Sequence, residues 1–125
     1  NAEIHRAAAS SVDQTKNAPT AASVEFFVRR SIMATVVVQI GNSDNKLSQV
    51  EWSQFVSYVR DAIGEHSEHI HFDGGSRHDA PWQNACFVSE VCGEKQERLM
   101  ADIRSHREMF RQDSVAVTIG ETAFV

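Results

Sequence analysis

Four of the chain's six histidines lie between His66 and Asp79, together with other side chains that can bind metal ions or transfer protons. Within this stretch, the residues from His69 to Asp73 alternate polar and apolar types. The alternation predicts a strand on which His69, His71 and Asp73 share one face, because successive strand side chains point to opposite sides.

A zinc site follows from this strand under one particular pairing. If the next loop closes a hairpin in which Asp73 faces Asn84, His71 lies opposite Cys86 on the face shared with His69. Two imidazoles, a carboxylate and a thiol in such proximity would suit zinc or a similar ion. A shift of one residue in the pairing turns the whole third-strand set to the other face. The site therefore depends on that register.

The same histidine pattern is typical of a solvated strand face, and we favour this structural interpretation. Cys86 beside a histidine has the composition of a thiolate nucleophile, but the sequence provides no third orienting group and no oxyanion donor. Such a thiol more often packs as a small apolar group. The sequence thus leans away from an enzyme and implies no cofactor. The alternative metal or enzyme site comprises His69, His71, Asp73 and Cys86.

A second group of candidates lies in the loop that follows, where His78 and Asp79 precede Pro81 and Trp82. Functional residues are often placed on loops held by a rigid scaffold. Trp82 and Trp52 would wall a small-molecule pocket between sheet and helices. Alternatively, Pro81 fixes a turn and Trp82 folds back over the core, which is the favoured interpretation. The ligand-binding candidates are Trp52, His78, Asp79 and Trp82.

Two amphipathic helices are predicted among the elements that position these residues. Ser48 and Glu51 form a capping box at the start of the first helix, which Gly64 is expected to end. Its apolar stripe consists of Trp52, Phe55, Val56, Val59, Ala62 and Ile63. The second helix is predicted over residues 94–111, with Leu99, Ile103, His106 and Phe110 on one stripe.

Four strands are predicted over residues 35–40, 69–73, 84–91 and 114–119. Ile70 and Phe72 are expected to face the core from the second strand, and Gly93 is expected to end the third. The element order is strand, helix, strand, strand, helix, strand. With right-handed crossovers this order gives a ferredoxin-like βαββαβ fold of the α+β class. Its two helices would cover one face of a four-stranded antiparallel sheet.

The N-terminal quarter has a different composition. Residues 7–23 are small and polar, and such a segment cannot offset its ordering entropy alone. We interpret residues 1–32 as an N-terminal arm or linker with a short strand at 24–30. Residues 33–125 then form a single α+β domain, with Met33 as a candidate native start.

The charge and the apolar content of the chain limit the classes of binding partner that we expect. The chain has a net charge of −5, which disfavours nucleic acid because binding there depends on basic groups neutralising phosphates. It lacks an apolar run long enough to cross a bilayer and a recognisable export signal, so a cytoplasmic location is expected.

Cys86 and Cys92 would be roughly 20 Å apart on one strand, too far for a disulfide.

Two segments, Val36–Trp52 and His78–Cys86, resemble small uncharacterised bacterial proteins. The similarity begins near Met33, and the proteins are of the kind encoded on mobile, integron-type gene cassettes. This resemblance implies a stand-alone accessory protein and assigns no catalytic or ligand residues.

The expected function is therefore a non-enzymatic binding or interaction protein that forms a homodimer. The physical reason is that two helices cover one sheet face and leave the other to be covered. Phe26 and Phe27 of the N-terminal arm provide an alternative cover for that face. The metal or enzyme site and the small-molecule pocket remain the alternative functions.

Overall fold

The computed structural model describes residues 20, 21, 32–42, 44–77 and 79–125. Contacts divide the chain into two units, Asn1–Ile32 and Met33–Val125. The strand predicted at 24–30 lies outside the described residues.

The unit from Met33 to Val125 has the α+β architecture that the sequence predicts. Its elements are β1 (Met33–Gly41), α1 (Gln49–His66), β2 (His69–Gly75), β3 (Asn84–Cys92), α2 (Gly93–Met109) and β4 (Ala116–Gly120). The four strands form one antiparallel sheet in the order β2-β3-β1-β4. This order is consistent with a ferredoxin-like arrangement, because each βαβ unit encloses one antiparallel strand between its own two strands.

One apolar core joins a single face of the sheet to both helices. On β1, Val36, Val38 and Ile40 are buried, and on β3 the alternate residues from Ala85 to Val91 are buried. The core cluster also contains Phe55 and Val59 of α1 and Leu99 and Ile103 of α2. We call this side of the sheet the inner face. The other side, the outer face, carries Thr35, Val37, Gln39, His69, His71, Phe72, Gly74, Cys86, Val88, Glu90, Ala116, Thr118 and Gly120.

The capping box that begins α1 is present. The Ser48 hydroxyl accepts a hydrogen bond from the Glu51 amide, and the Glu51 carboxylate accepts one from the Ser48 amide. The expected end of the helix was wrong, because α1 continues through Gly64 to His66. His66 is buried, since it lies three and four positions after Ile63 and Ala62 on the same stripe.

The ends of the later elements also differ by a few residues from prediction. α2 begins at Gly93 directly after β3, so this glycine ends the strand as expected and opens the helix. Arg111 takes the left-handed backbone conformation (φ 57°) just after α2, a role that glycine more often has. β4 begins two residues later than predicted and ends at Gly120.

The largest departure from the predicted pattern is a bulge in β2. Ile70 pairs with Ser89 and Phe72 pairs with Val88. A step of two residues along β2 therefore corresponds to a step of one residue along β3. The bulge reverses the alternation after His71. The expectation that Ile70 and Phe72 share the core side was wrong. Phe72 lies on the outer face with 52% of its surface exposed, and Ile70 is 44% exposed.

None of the helices within the described residues is long and apolar enough to cross a membrane.

Candidate functional sites

The bulge in β2 separates the four residues of the predicted zinc site. Cys86 pairs with Gly74 on one side and with Gln39 on the other, not with His71. Asp73 pairs with Phe87, whose side chain is in the core, so Asp73 is on the inner face. The assumed pairing of Asp73 with Asn84 was wrong, and the structure does not bring His69, His71, Asp73 and Cys86 together.

The two histidines of β2 instead take part in a polar group on the outer face. His71 Nε2 lies 3.2 Å from Glu90 Oε2, and the rings of His69 and His71 meet edge to face with centroids 4.9 Å apart. The Thr35 hydroxyl donates a hydrogen bond of 2.7 Å to the same Glu90 oxygen and also contacts the Thr122 hydroxyl. These contacts make the group a hydrogen-bonded cluster on the surface of the sheet.

Strand pairing arranges the outer face in three rows that cross the sheet. The polar row contains His69, Glu90, Thr35 and Gly120. The middle row is mostly apolar and contains Phe72, Val88, Val37 and Thr118. The third row contains the mostly small residues Gly74, Cys86, Gln39 and Ala116.

The small-residue row forms a recess beside the apolar row. A cavity of about 730 Å³ is lined by all four residues of that row, by Phe72, and by Asp44 and Asp113 from neighbouring loops. The ring of Phe72 lies over Gly74 so closely that a β-carbon on this glycine would be 2.6 Å from Phe72 Cζ. The outer face thus carries a half-exposed aromatic ring that forms part of the wall of this depression.

A second cleft, of about 520 Å³, lies between α1 and the end of the β2–β3 hairpin. It is lined by both tryptophans, with Val56 and Ala80 beside them. Trp52 is partly buried and packs edge-on against Phe55, whereas Trp82 is 53% exposed. The favoured expectation that Trp82 covers the core does not fit this exposure. Both tryptophans instead border one cleft.

The charged groups around the tryptophan cleft are paired. Arg60 donates two hydrogen bonds to Asp73, and Arg77 donates two to Asp79. The hydrogen bonds from Arg60 lower the pKa of Asp73 below its ordinary value, and the same hydrogen bonds raise the pKa of Arg60. Among the ligand-binding candidates, the Asp79 carboxylate therefore already has an arginine partner, Arg77. His78 lies outside the described residues.

Sequence reasoning missed a group of potential ligands at the junction of the two helices. Glu65 and His66 end α1, and Asp102 lies on α2; one ligand atom from each lies within 4.8 Å of the others. The sequence gives one weak signal of this group. His66 continues the buried stripe of α1, where an unpaired imidazole would be costly, so a polar partner for it could have been expected. Within the described residues, no other set of three such side chains is this close.

The chain matches no protein-family model, and no curated protein is significantly similar to it.

Proposed function

We propose that this protein is a non-enzymatic binding protein, two copies of which pair through their outer faces. The observation that most directly supports this proposal is the exposed Phe72 side chain at the recess formed by Gly74, Cys86, Gln39 and Ala116. A knob and a recess on one surface suit two-fold pairing, because each copy offers the knob that the other receives.

The chemistry of the outer face supports this pairing. Apolar surface in contact with water costs roughly 25 cal/mol per Å², and Phe72 extends an apolar row formed with Val88 and Val37. The polar group around Glu90 borders that row on one side. An apolar centre with a polar rim is the usual anatomy of a protein interface.

The position of Cys86 favours binding over catalysis. Its strand partners are Gly74 and Gln39, neither of which is a base that would activate a thiol. The thiol instead contributes a small, partly buried side chain to the recess.

Sedimentation velocity of the full chain over a wide concentration range tests the pairing. We expect a concentration-dependent dimer that Phe72→Thr weakens, because threonine retains the strand preference and removes the ring. Val50→Thr is the matched control, since Val50 is 67% exposed but lies on α1. A monomer at all concentrations, or an equal effect of both substitutions, would contradict the proposal. Pairing that survives Phe72→Thr would point to another surface or to the N-terminal arm.

The tryptophan cleft favours a second function, the binding of a flat aromatic small molecule. Its walls include two indole rings, and its described arginines are already paired with carboxylates. A neutral ring should therefore bind better than a charged one, because a charged ligand would have to displace an existing ion pair or remain unpaired.

Intrinsic fluorescence tests this second function without a label, since the chain has two tryptophans and both line the cleft. Benzamide, benzamidine and benzoate share a planar shape and differ in charge. We expect a saturable change with benzamide, weaker changes with the two ions, and reduced affinity in Trp82→Ala. Identical linear responses to all three compounds would indicate non-specific quenching and exclude the site.

A further inference from the structure

The junction between the end of α1 and the middle of α2 carries an unusual set of side chains. His66 is buried, with 8% of its surface exposed, and its Nε2 lies 2.7 Å from Asp102 Oδ2. Glu65 precedes it, and one of its carboxylate oxygens lies within 4.8 Å of both ligand atoms. A nitrogen and two carboxylate oxygens therefore converge from two helices.

The His66 and Asp102 atoms are spaced almost as a small metal ion needs, and the Glu65 oxygen lies within 4.8 Å of both. Zinc binds imidazole nitrogen and carboxylate oxygen at roughly 2.0–2.2 Å, and in tetrahedral geometry the ligand atoms are then about 3.3 Å apart. The pair His66–Asp102 would have to separate by only about 0.6 Å from its present hydrogen-bond distance. The Asp102 side chain is 44% exposed, and Glu65 is exposed, so both carboxylates have room to adjust.

The electrostatics of the junction also favour a cation. Glu65 and His66 are in the last turn of α1, where the helix dipole places about half a negative charge. The carboxylates of Glu65 and Asp102 add to this negative potential. Among the described residues, neither carboxylate forms an ion pair with a lysine or an arginine. Nearby Glu68, in contrast, is already paired with Lys95.

We propose that Glu65, His66 and Asp102 form a binding site for a divalent transition-metal ion of the zinc class. His66 would supply its neutral imidazole, the carboxylates one oxygen each, and water the remaining position. One imidazole with two carboxylates fits zinc, cobalt or manganese better than calcium, which takes oxygen ligands. The bound ion would join α1 to α2. This site is distinct from the outer face and the tryptophan cleft, so it stands or falls independently of the proposed function.

Zinc titration of the metal-stripped full chain by calorimetry tests the site, with cobalt absorption as a second readout. We expect one zinc ion per chain, and visible cobalt bands that report direct nitrogen and oxygen ligation. Glu65→Gln and Asp102→Asn should each weaken zinc binding roughly tenfold or more, since each removes an anionic ligand. Glu65 is exposed, so Glu65→Gln tests the site even if substitutions at buried His66 impair folding.

Two control variants distinguish this site from other metal binding by the chain. Glu68→Gln removes a neighbouring carboxylate that is paired with lysine, and it should leave zinc affinity unchanged. The double variant His69→Ala, His71→Ala removes the exposed histidines of β2 and should do the same. Zinc affinity that is insensitive to Glu65→Gln and Asp102→Asn, affinity lost in the β2 variant, or no binding at millimolar zinc would each overturn the proposal.

Discussion

Arg60 of α1 and Asp73 of β2 are joined side by side, with Nε 2.6 Å from Oδ2 and Nη2 2.9 Å from Oδ1. The two hydrogen bonds fix the carboxylate on the inner face, at the edge of the tryptophan cleft. The Arg60 guanidinium also lies 5.7 Å from the centre of the Phe87 ring. The sequence pattern predicted Asp73 on the face opposite the core. The ion pair with Arg60 explains why its carboxylate is stable on the inner face instead.

Asp73→Asn should destabilise the protein by about 0.5–1 kcal/mol at neutral pH, the upper range for a partly exposed ion pair. Because the folded-state pKa of Asp73 is lowered by Arg60, its contribution is fully present above the ordinary carboxyl pKa near 3.9. The contribution is lost as the pH falls below that value through the folded-state pKa. Urea unfolding of both proteins should therefore show a difference at about pH 5 that shrinks toward about pH 3.

Asp79→Asn is the matched control for this experiment. Asp79 accepts two hydrogen bonds of 3.1 Å from Arg77, but both side chains are more exposed than those of Asp73 and Arg60. Its substitution should change stability little, because an ion pair between two exposed side chains contributes little. Equal effects of the two substitutions would show that the inner-face pair has no special role.

Asn42 organises the connection between β1 and α1, and Asn42→Ala should cost about 2–4 kcal/mol. The buried Asn42 side chain accepts a hydrogen bond from the Leu47 amide and donates one to the Leu47 carbonyl. Alanine would leave both backbone groups buried and unpaired, since Leu47 is itself in the core. Thermal unfolding measures the loss. Gln49→Ala, which removes exposed hydrogen bonds to Gln83, should cost less than about 0.5 kcal/mol.

The element order of the fold could be predicted from sequence because each element carries its own local signal. The β-branched run in β1 and the capping box of α1 depend only on neighbouring residues. The role of Asn42 could not be predicted in this way, because a buried asparagine and a solvated loop asparagine look alike in sequence. Gly64 illustrates the opposite error: a local helix-ending signal was overridden by the burial of His66 two residues later.

The candidate sites depended on strand register, which local patterns do not determine. The alternation from His69 to Asp73 continues through the bulge without any change in residue type, so sequence alone places Phe72 on the wrong face. What fixes the register is non-local: Asp73 meets Arg60 and His71 meets Glu90. One of the alternative interpretations placed the two tryptophans around one pocket, and both line one cleft. Ligand binding there stays a prediction.

The contact between Phe72 and Gly74 provides a direct test of the bulge. A β-carbon at position 74 would meet the Phe72 ring at 2.6 Å, whereas one at position 75 would meet the backbone carbonyl of Asn84 at 2.8 Å. Alanine is otherwise preferred to glycine within a strand by about 0.5–1 kcal/mol. Gly74→Ala should therefore stabilise a Phe72→Ala variant by about that amount and stabilise the unsubstituted protein less or not at all.

Gly75→Ala is the control, because a backbone carbonyl cannot move aside as a side chain can. It should destabilise both backgrounds by about 1–3 kcal/mol. A double-mutant cycle from chemical unfolding gives the coupling energy, which we expect to be about 1 kcal/mol for Gly74 with Phe72 and near zero for Gly75 with Phe72. Zero coupling at Gly74 would mean that the ring is not over that glycine. In that case the Phe72 ring would take another position, and the outer-face pairing would lose its aromatic knob beside the recess.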